Sequence, residues 1–338
     1  MKKIITLLLA LTLLLSLVAC GGAAEPAATT AAPAPTAETE GDTQPTEPPF
    51  VRPTGKEALH GKKIIFIGNS YTFWGQTVLY KDQDVLKQDL RKDDHGYFYQ
   101  LCKANGIDVA VTNWTFGGHD ITAMFDGPCD KGDDKCNGQY HEYFLQDAYF
   151  DYVCIQPYKE KEYTGDLVKH LQYTVDFFRK VNPNVQFLLL VPQMAPEKQY
   201  LWYDDIEDLL DEGFLICDWG TMLHDISEGT TQVPGATLTY RRSSFVNSKD
   251  DHHENLLAGY LTTLMVYCAI TGESAVGQPY DFCDNKELNP LFDLEAFKEK
   301  NYPDNGQTNF VEIFRSEADM AGLQQLTDQY LAAFNGVN

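Results

Sequence analysis

A chain of 338 residues with 49 acidic side chains against 26 basic ones carries a formal charge of −23. Acidity on that scale opposes binding to nucleic acid and direct adhesion to anionic lipid headgroups, because both present negative surfaces. The length suffices for one domain with a sizeable core.

Met1 to Cys20 opens on Lys2-Lys3, continues as an apolar segment from Ile4 to Leu15 and ends in small residues, the pattern of a secretory signal. The apolar segment is too short to span a bilayer and stop there. Leu17-Val18-Ala19-Cys20 followed by Gly21-Gly22 resembles a bacterial lipobox. That resemblance implies cleavage before Cys20, lipidation of its thiol, and an extracytoplasmic protein anchored to the cell membrane. Residues 21–54 are Ala, Thr, Pro, Glu and Gly with almost nothing to bury, so they read as a disordered tether, leaving residues 55–338 as the folded domain.

Within that domain the apolar run Ile64 to Ile67 reads as a strand covered on both faces, and it ends in Gly68-Asn69-Ser70. Val78, Leu79, Val85, Leu86 and Leu90 follow at helix-compatible spacing, interrupted by Gly75 and a charged stretch to Asp94. Tyr97 to Ala104 reads as a helix stopped by Asn105-Gly106, and Ile107 to Trp114 as a strand running into the turn Phe116-Gly117-Gly118-His119-Asp120. Asp126 to Gln139 reads as a surface insertion. Tyr149 to Gln156, Val185 to Val191 and Phe214 to Cys217 read as three further strands, with a helix face at Leu167, Leu171, Val175 and Phe178 and another helix ending at Leu209-Leu210. Leu256 to Ile270 is helical with Gly272 as its stop, and Phe310 to Phe334 reads as one final amphipathic helix. Strands alternating with helices at these intervals predict an α/β domain built on a five-stranded, mostly parallel sheet covered on both faces.

Cysteine usage adds two expectations. Cys129 and Cys136 flank a polar loop that a disulfide could close in an exported protein, whereas Cys154, Cys217 and Cys268 sit in apolar runs as core residues. No second Cys or His pair has zinc-ligand spacing, so no metal is expected.

A serine attacks an ester only if one group takes its proton and others receive the charge that builds on the carbonyl oxygen. Asp250 and His253 lie three apart before a helix, a spacing that lets a carboxylate bend onto one imidazole nitrogen while the other faces a nucleophile. The same pattern also suits an ordinary helix N-terminus. With Gly68-Asn69-Ser70, the pair Asn113 and Gly118, and Asp250-x-x-His253 in that order, the chain resembles the SGNH, or GDSL-like, hydrolase superfamily, in particular its Gly-Asn-Ser-Tyr-Thr branch. The resemblance covers about Lys62 to Gly272. One block departs: where the family carries an asparagine after the third strand, this chain has Gln156.

The resemblance implies a three-layer α/β/α sandwich of flavodoxin-like type and a serine esterase without cofactor. Ser70 would be the nucleophile, His253 the general base and Asp250 its orienting carboxylate. The Ser70 and Gly118 N–H groups with the Gln156 amide would form the oxyanion hole. Gly117 is the alternative to Gly118, and His252 to His253. An acylated carbohydrate or cell-wall glycan is the implied substrate, with Tyr71, Trp74, Trp114, Tyr158, Trp202 and Trp219 available either to stack on sugars or to pack the core. Two other readings stay open, a carbohydrate-binding lipoprotein without chemistry and a glycan O-acyltransferase using the same triad.

Overall fold

The computed structural model describes residues 53–79, 92–118, 121, 145–157, 165–192, 213–246, 253–283 and 310–335. All lie in one compact unit, Phe50–Asn338. The expected signal and tether with Cys20, the Asp126 to Gln139 stretch with Cys129 and Cys136, the expected helix ending at Leu209-Leu210, and Asp250 to His252 fall outside the described residues.

The strands are β1 (Lys62–Gly68), β2 (Lys92–Asp93), β3 (Val109–Thr115), β4 (Tyr152–Ile155), β5 (Gln186–Leu190) and β6 (Leu215–Cys217). They form one sheet in the order β2-β3-β1-β4-β5-β6. β1 pairs in parallel with β3 and β4, β4 with β5, and β5 with β6. The five expected strands are therefore present, and the sheet has a sixth. β2 pairs antiparallel with β3 at the edge, and its two residues are too few to show any period. What holds it is the buried Asp93 carboxylate, which accepts hydrogen bonds from the N–H groups of Leu79 (2.5 Å), His95 (3.0 Å) and Gly96 (2.7 Å).

Successive residues of a strand point to opposite faces, so the unbroken apolar run of β1 feeds two cores at once. Ile64 and Phe66 enter one apolar cluster, Ile65 and Ile67 the other. The first cluster is completed by helices α2 (Tyr97–Ala104), α4 (Trp219–Ser227), α5 (Leu256–Thr271) and α7 (Glu317–Asn335). The second is completed by α3 (Gly165–Arg179). That is a three-layer α/β/α arrangement. α5 is buried at every position, as an all-round apolar helix must be, and it ends where Gly272 takes φ 68° and its N–H reaches the Cys268 carbonyl at 2.8 Å.

The structure adds detail to the helical reading at three places. Among the described residues that follow Ser70, up to Leu79, helix is confined to α1 (Ser70–Phe73) and Gln76 turns the chain at φ 65°; Val85, Leu86 and Leu90 lie outside the described residues. α4 follows β6 at once, its N-cap made by Asp218, which accepts from the Thr221 N–H at 2.8 Å. The carboxyl-terminal helix is two, α6 (Phe310–Phe314) and α7. Ser316 caps α7, its hydroxyl accepting from the Asp319 N–H at 3.4 Å and its carbonyl from the Met320 N–H at 3.0 Å, so the chain restarts there.

Asp319 is buried and accepts hydrogen bonds from the Thr237 and Leu238 N–H groups and from the hydroxyls of Thr237, Tyr240 and Ser316. Burial opposes its ionisation, but the bonds from Ser316, Thr237 and Tyr240 outweigh that and hold its pKa at about 2. A folded pKa below the unfolded value means stability that is complete above pH 3.8 and is lost as pH falls toward about 2. Asp319→Asn should therefore lower unfolding stability at pH 7 by about 2 kcal/mol. In urea titrations the gap from wild type should close below pH 3.8; a gap that stayed constant down to pH 2.5 would contradict the carboxylate's role.

The cysteines Cys102, Cys154, Cys217, Cys268 and Cys283 are free thiols buried in the core. Burial pushes the thiols of Cys102, Cys154, Cys217 and Cys268 above their ordinary value, so they act as small hydrophobes.

Candidate active site

In parallel α/β sheets functional groups collect outside the carboxyl ends of the strands, where the connecting loops part. Here β1, β3 and β4 lie side by side with Gly68 opposite Thr115 and Ile67 opposite Ile155. Their ends are level, and Ser70, Gly118 and Gln156 each follow within three residues of one of them. Two ladder-like bonds carry the pairing past the strand ends: Phe116 N–H to the Gly68 carbonyl at 2.9 Å and Gln156 N–H to the Ile67 carbonyl at 2.8 Å.

Ser70 is the first residue of α1. Asn69 precedes it as N-cap, its side-chain oxygen accepting from the Tyr71 N–H at 3.1 Å and its carbonyl from the Thr72 N–H at 3.0 Å. Among the described residues neither the Ser70 hydroxyl nor its N–H has a hydrogen-bond partner, and Ser70 is 8% exposed. Gly118 sits in the turn after β3 at φ 70°, a conformation that favours glycine, and its N–H likewise has no partner among the described residues. Asn113 anchors that side of the site. Its oxygen accepts from the Thr115 N–H (3.1 Å) and hydroxyl (2.5 Å), and its amide donates to the Leu79 carbonyl at 3.0 Å.

Gln156 is 1% exposed. Its side-chain oxygen accepts from the Asn69 N–H and from the Thr72 hydroxyl, each at 3.1 Å, and its NH2 group donates to the Pro157 carbonyl. The position that sequence comparison makes an oxyanion donor thus turns its oxygen, not its nitrogen, toward the serine turn.

His253 arrives from the far end of the chain, in the segment before α5. Its ring stacks on Trp74 with centroids 5.0 Å apart and 22° between planes, and it lies 5.6 Å from the Tyr71 ring. Both partners belong to or directly follow α1, the helix that Ser70 begins. Ser70 and His253 are not hydrogen-bonded to each other in this geometry, and unliganded sites often tighten such contacts only on binding.

Packing delivers the histidine. Gly75 and Gly259 meet so closely that a Cβ on Gly75 would lie 2.7 Å from the Gly259 Cα, and the Thr77 hydroxyl donates to the Gly259 carbonyl at 3.2 Å. This contact seats α5 against the end of α1. The segment before α5 is pinned on its other side by a Val246–Glu254 bridge, by Asn255 N–H to the Phe245 carbonyl (2.9 Å) and by the Asn255 amide to the Ser244 carbonyl (2.8 Å).

Sequence reasoning passed over Glu254. It is fully buried, accepts from the Trp219 indole N–H, and lies 3.4 Å from the Thr262 hydroxyl. Nothing in the sequence marks it, since an acid before a helix is ordinarily exposed. Of the aromatic residues considered for sugar stacking, Trp114 and Trp219 are wholly buried core residues, Tyr71 and Trp74 line the histidine, and Tyr158 and Trp202 lie outside the described residues. Asp250 and His252 lie outside them as well.

No protein-family model matches the chain, and no curated protein matches it in sequence. Solved structures align with it at low identity. A DUF4886 family protein from Bacteroides uniformis is 14% identical with a TM-score of 0.47, the match covering 81% of this chain and 96% of that one. The acetylxylan esterase Axe2 from Geobacillus stearothermophilus is 13% identical with a TM-score of 0.40, covering 64% and 96%. A protein from Parabacteroides merdae assigned as a GDSL-like lipase is 14% identical with a TM-score of 0.41, covering 63% and 97%.

Proposed function

We propose that this protein is a serine hydrolase of acyl esters. The observation that carries the proposal is the unpartnered hydroxyl and N–H of Ser70 at the carboxyl end of the central strand, with His253 packed against the same short helix. The Ser70 Oγ attacks the acyl carbonyl while His253 takes its proton. The N–H groups of Ser70 and Gly118 receive the negative charge on the carbonyl oxygen. Collapse of the tetrahedral intermediate releases the alcohol, which takes the proton back from His253. Water, activated by the same imidazole, then frees the acid. Asp250 is assigned the orienting role by its spacing from His253. The Ser70 N–H helps only if the turn before it is rigid, because a preorganised donor needs no reorganisation as charge develops.

The substrate we assign is an acyl, most simply acetyl, ester on a carbohydrate or cell-wall glycan, met outside the cytoplasm by a protein anchored through Cys20. That assignment rests on the signal, the lipobox resemblance and the family resemblance. The test is hydrolysis of p-nitrophenyl acetate by the purified protein, together with fluorophosphonate labelling mapped by mass spectrometry to the peptide that holds Ser70. Absence of turnover across acyl chain lengths, combined with tight sugar binding, would sink the hydrolase and favour a binding lipoprotein. Acyl-glycan products in place of free acid would assign the same intermediate to acyl transfer.

A further inference from the structure

We infer that Gln156 is a positioning residue that braces the serine turn through its side-chain oxygen, and that it supplies no donor to the oxyanion. The inference rests on the esterase reading for its catalytic consequence and on geometry alone for the brace.

The orientation of the amide is settled by chemistry. A backbone N–H can only donate, so the atom 3.1 Å from the Asn69 nitrogen must be the Gln156 oxygen. The same oxygen takes the Thr72 hydroxyl at 3.1 Å, which engages both of its lone pairs. The nitrogen is thereby turned to the Pro157 carbonyl. Gln156, Asn69 and Thr72 are all buried, so none of these groups has water to fall back on, and an unpaired member would carry its full desolvation cost.

The neighbouring residues are shaped to admit this side chain. A Cβ on Gly68 would lie 2.9 Å from the Gln156 Cβ, 2.9 Å from its oxygen and 2.9 Å from the Thr72 hydroxyl, so only glycine lets the glutamine fold over the turn. Two bonds from one oxygen tie the residue before Ser70 to the residue two after it. Between them Ser70 is held with its N–H and hydroxyl directed away from internal partners. An asparagine at this position would fall short by one methylene, about 1.5 Å, and would lose the bond from the Asn69 N–H. The glutamine is therefore suited to bracing where a shorter amide is not.

Two variants of the full chain separate brace from donor. In Gln156→Asn, amide hydrogen exchange at Asn69, followed by NMR with asparagine labelling, should accelerate at least tenfold. The kcat for p-nitrophenyl acetate should fall about 10- to 100-fold, the scale of a small misplacement of the nucleophile, with KM within about twofold. Thr72→Val, which leaves the glutamine amide intact, should also lower kcat, and the double variant should be no worse than Gln156→Asn because both remove the same tie. Gln156→Asn with kcat at or above wild type would identify a donor and overturn the brace, as would unchanged Asn69 exchange. If the wild type has no esterase activity, the catalytic consequence goes with the hydrolase reading, and Asn69 exchange still decides the brace.

Discussion

Ser70→Ala should lower kcat for p-nitrophenyl acetate by about 10⁴- to 10⁶-fold, the range seen when the nucleophile of a serine hydrolase is removed. The same change should leave the fold intact. Ser70 Oγ makes no hydrogen bond in the described structure, so its removal strands no buried partner and avoids the unpaired-group cost that makes a buried polar substitution severe. Loss of activity without loss of melting temperature would place the chemistry on the hydroxyl. A variant that kept more than a tenth of wild-type kcat would show that ester cleavage, if present, occurs elsewhere on the molecule.

Gly259→Ala should have the largest effect on stability of any single methyl addition near the site. A Cβ there overlaps the carbonyl group of Gly75, and the obstacle is backbone on both sides, so no rotamer change relieves it. Overpacking of this kind costs about 3 kcal/mol or more, which for a domain of this size lowers the melting temperature by about 6–12 °C. It should also cut kcat at temperatures where the protein is folded, because the contact sets the distance between α5, which His253 precedes, and α1, which Ser70 begins. Separate measurement of melting temperature and of kcat well below it distinguishes the two effects. An alanine variant with wild-type stability would mean that the two helices are free to separate.

Much of the fold was legible in the residues. β1, β4, β5 and β6 announce themselves because a strand buried on both faces needs an apolar run, and β3 through its alternating, β-branched residues; both signals are local. α2 and α5 end where glycines at 106 and 272 adopt φ 73° and 68°, which few other residues tolerate. β2 was not legible, since Asp93 is held by three N–H groups rather than by any pattern. The break between α6 and α7 was hidden because the apolar stripe runs on through Ser316, and only the knot around Asp319 shows that the chain restarts there.

For the candidate site, the placement of Ser70, Gly118 and Gln156 just beyond the ends of β1, β3 and β4 was legible, because strand ends are local features. Three things were decided only by the tertiary structure. The approach of His253 to α1 depends on two glycines 184 positions apart in register, Gly75 and Gly259, whose value lies in what they leave room for. The burial of Glu254 depends on Trp219 being folded over it. The direction of the Gln156 amide depends on which neighbour is obliged to donate, and that neighbour, Asn69, lies 87 residues away. Residue identity states what a side chain can donate or accept; only its folded neighbours determine which of those capacities is used.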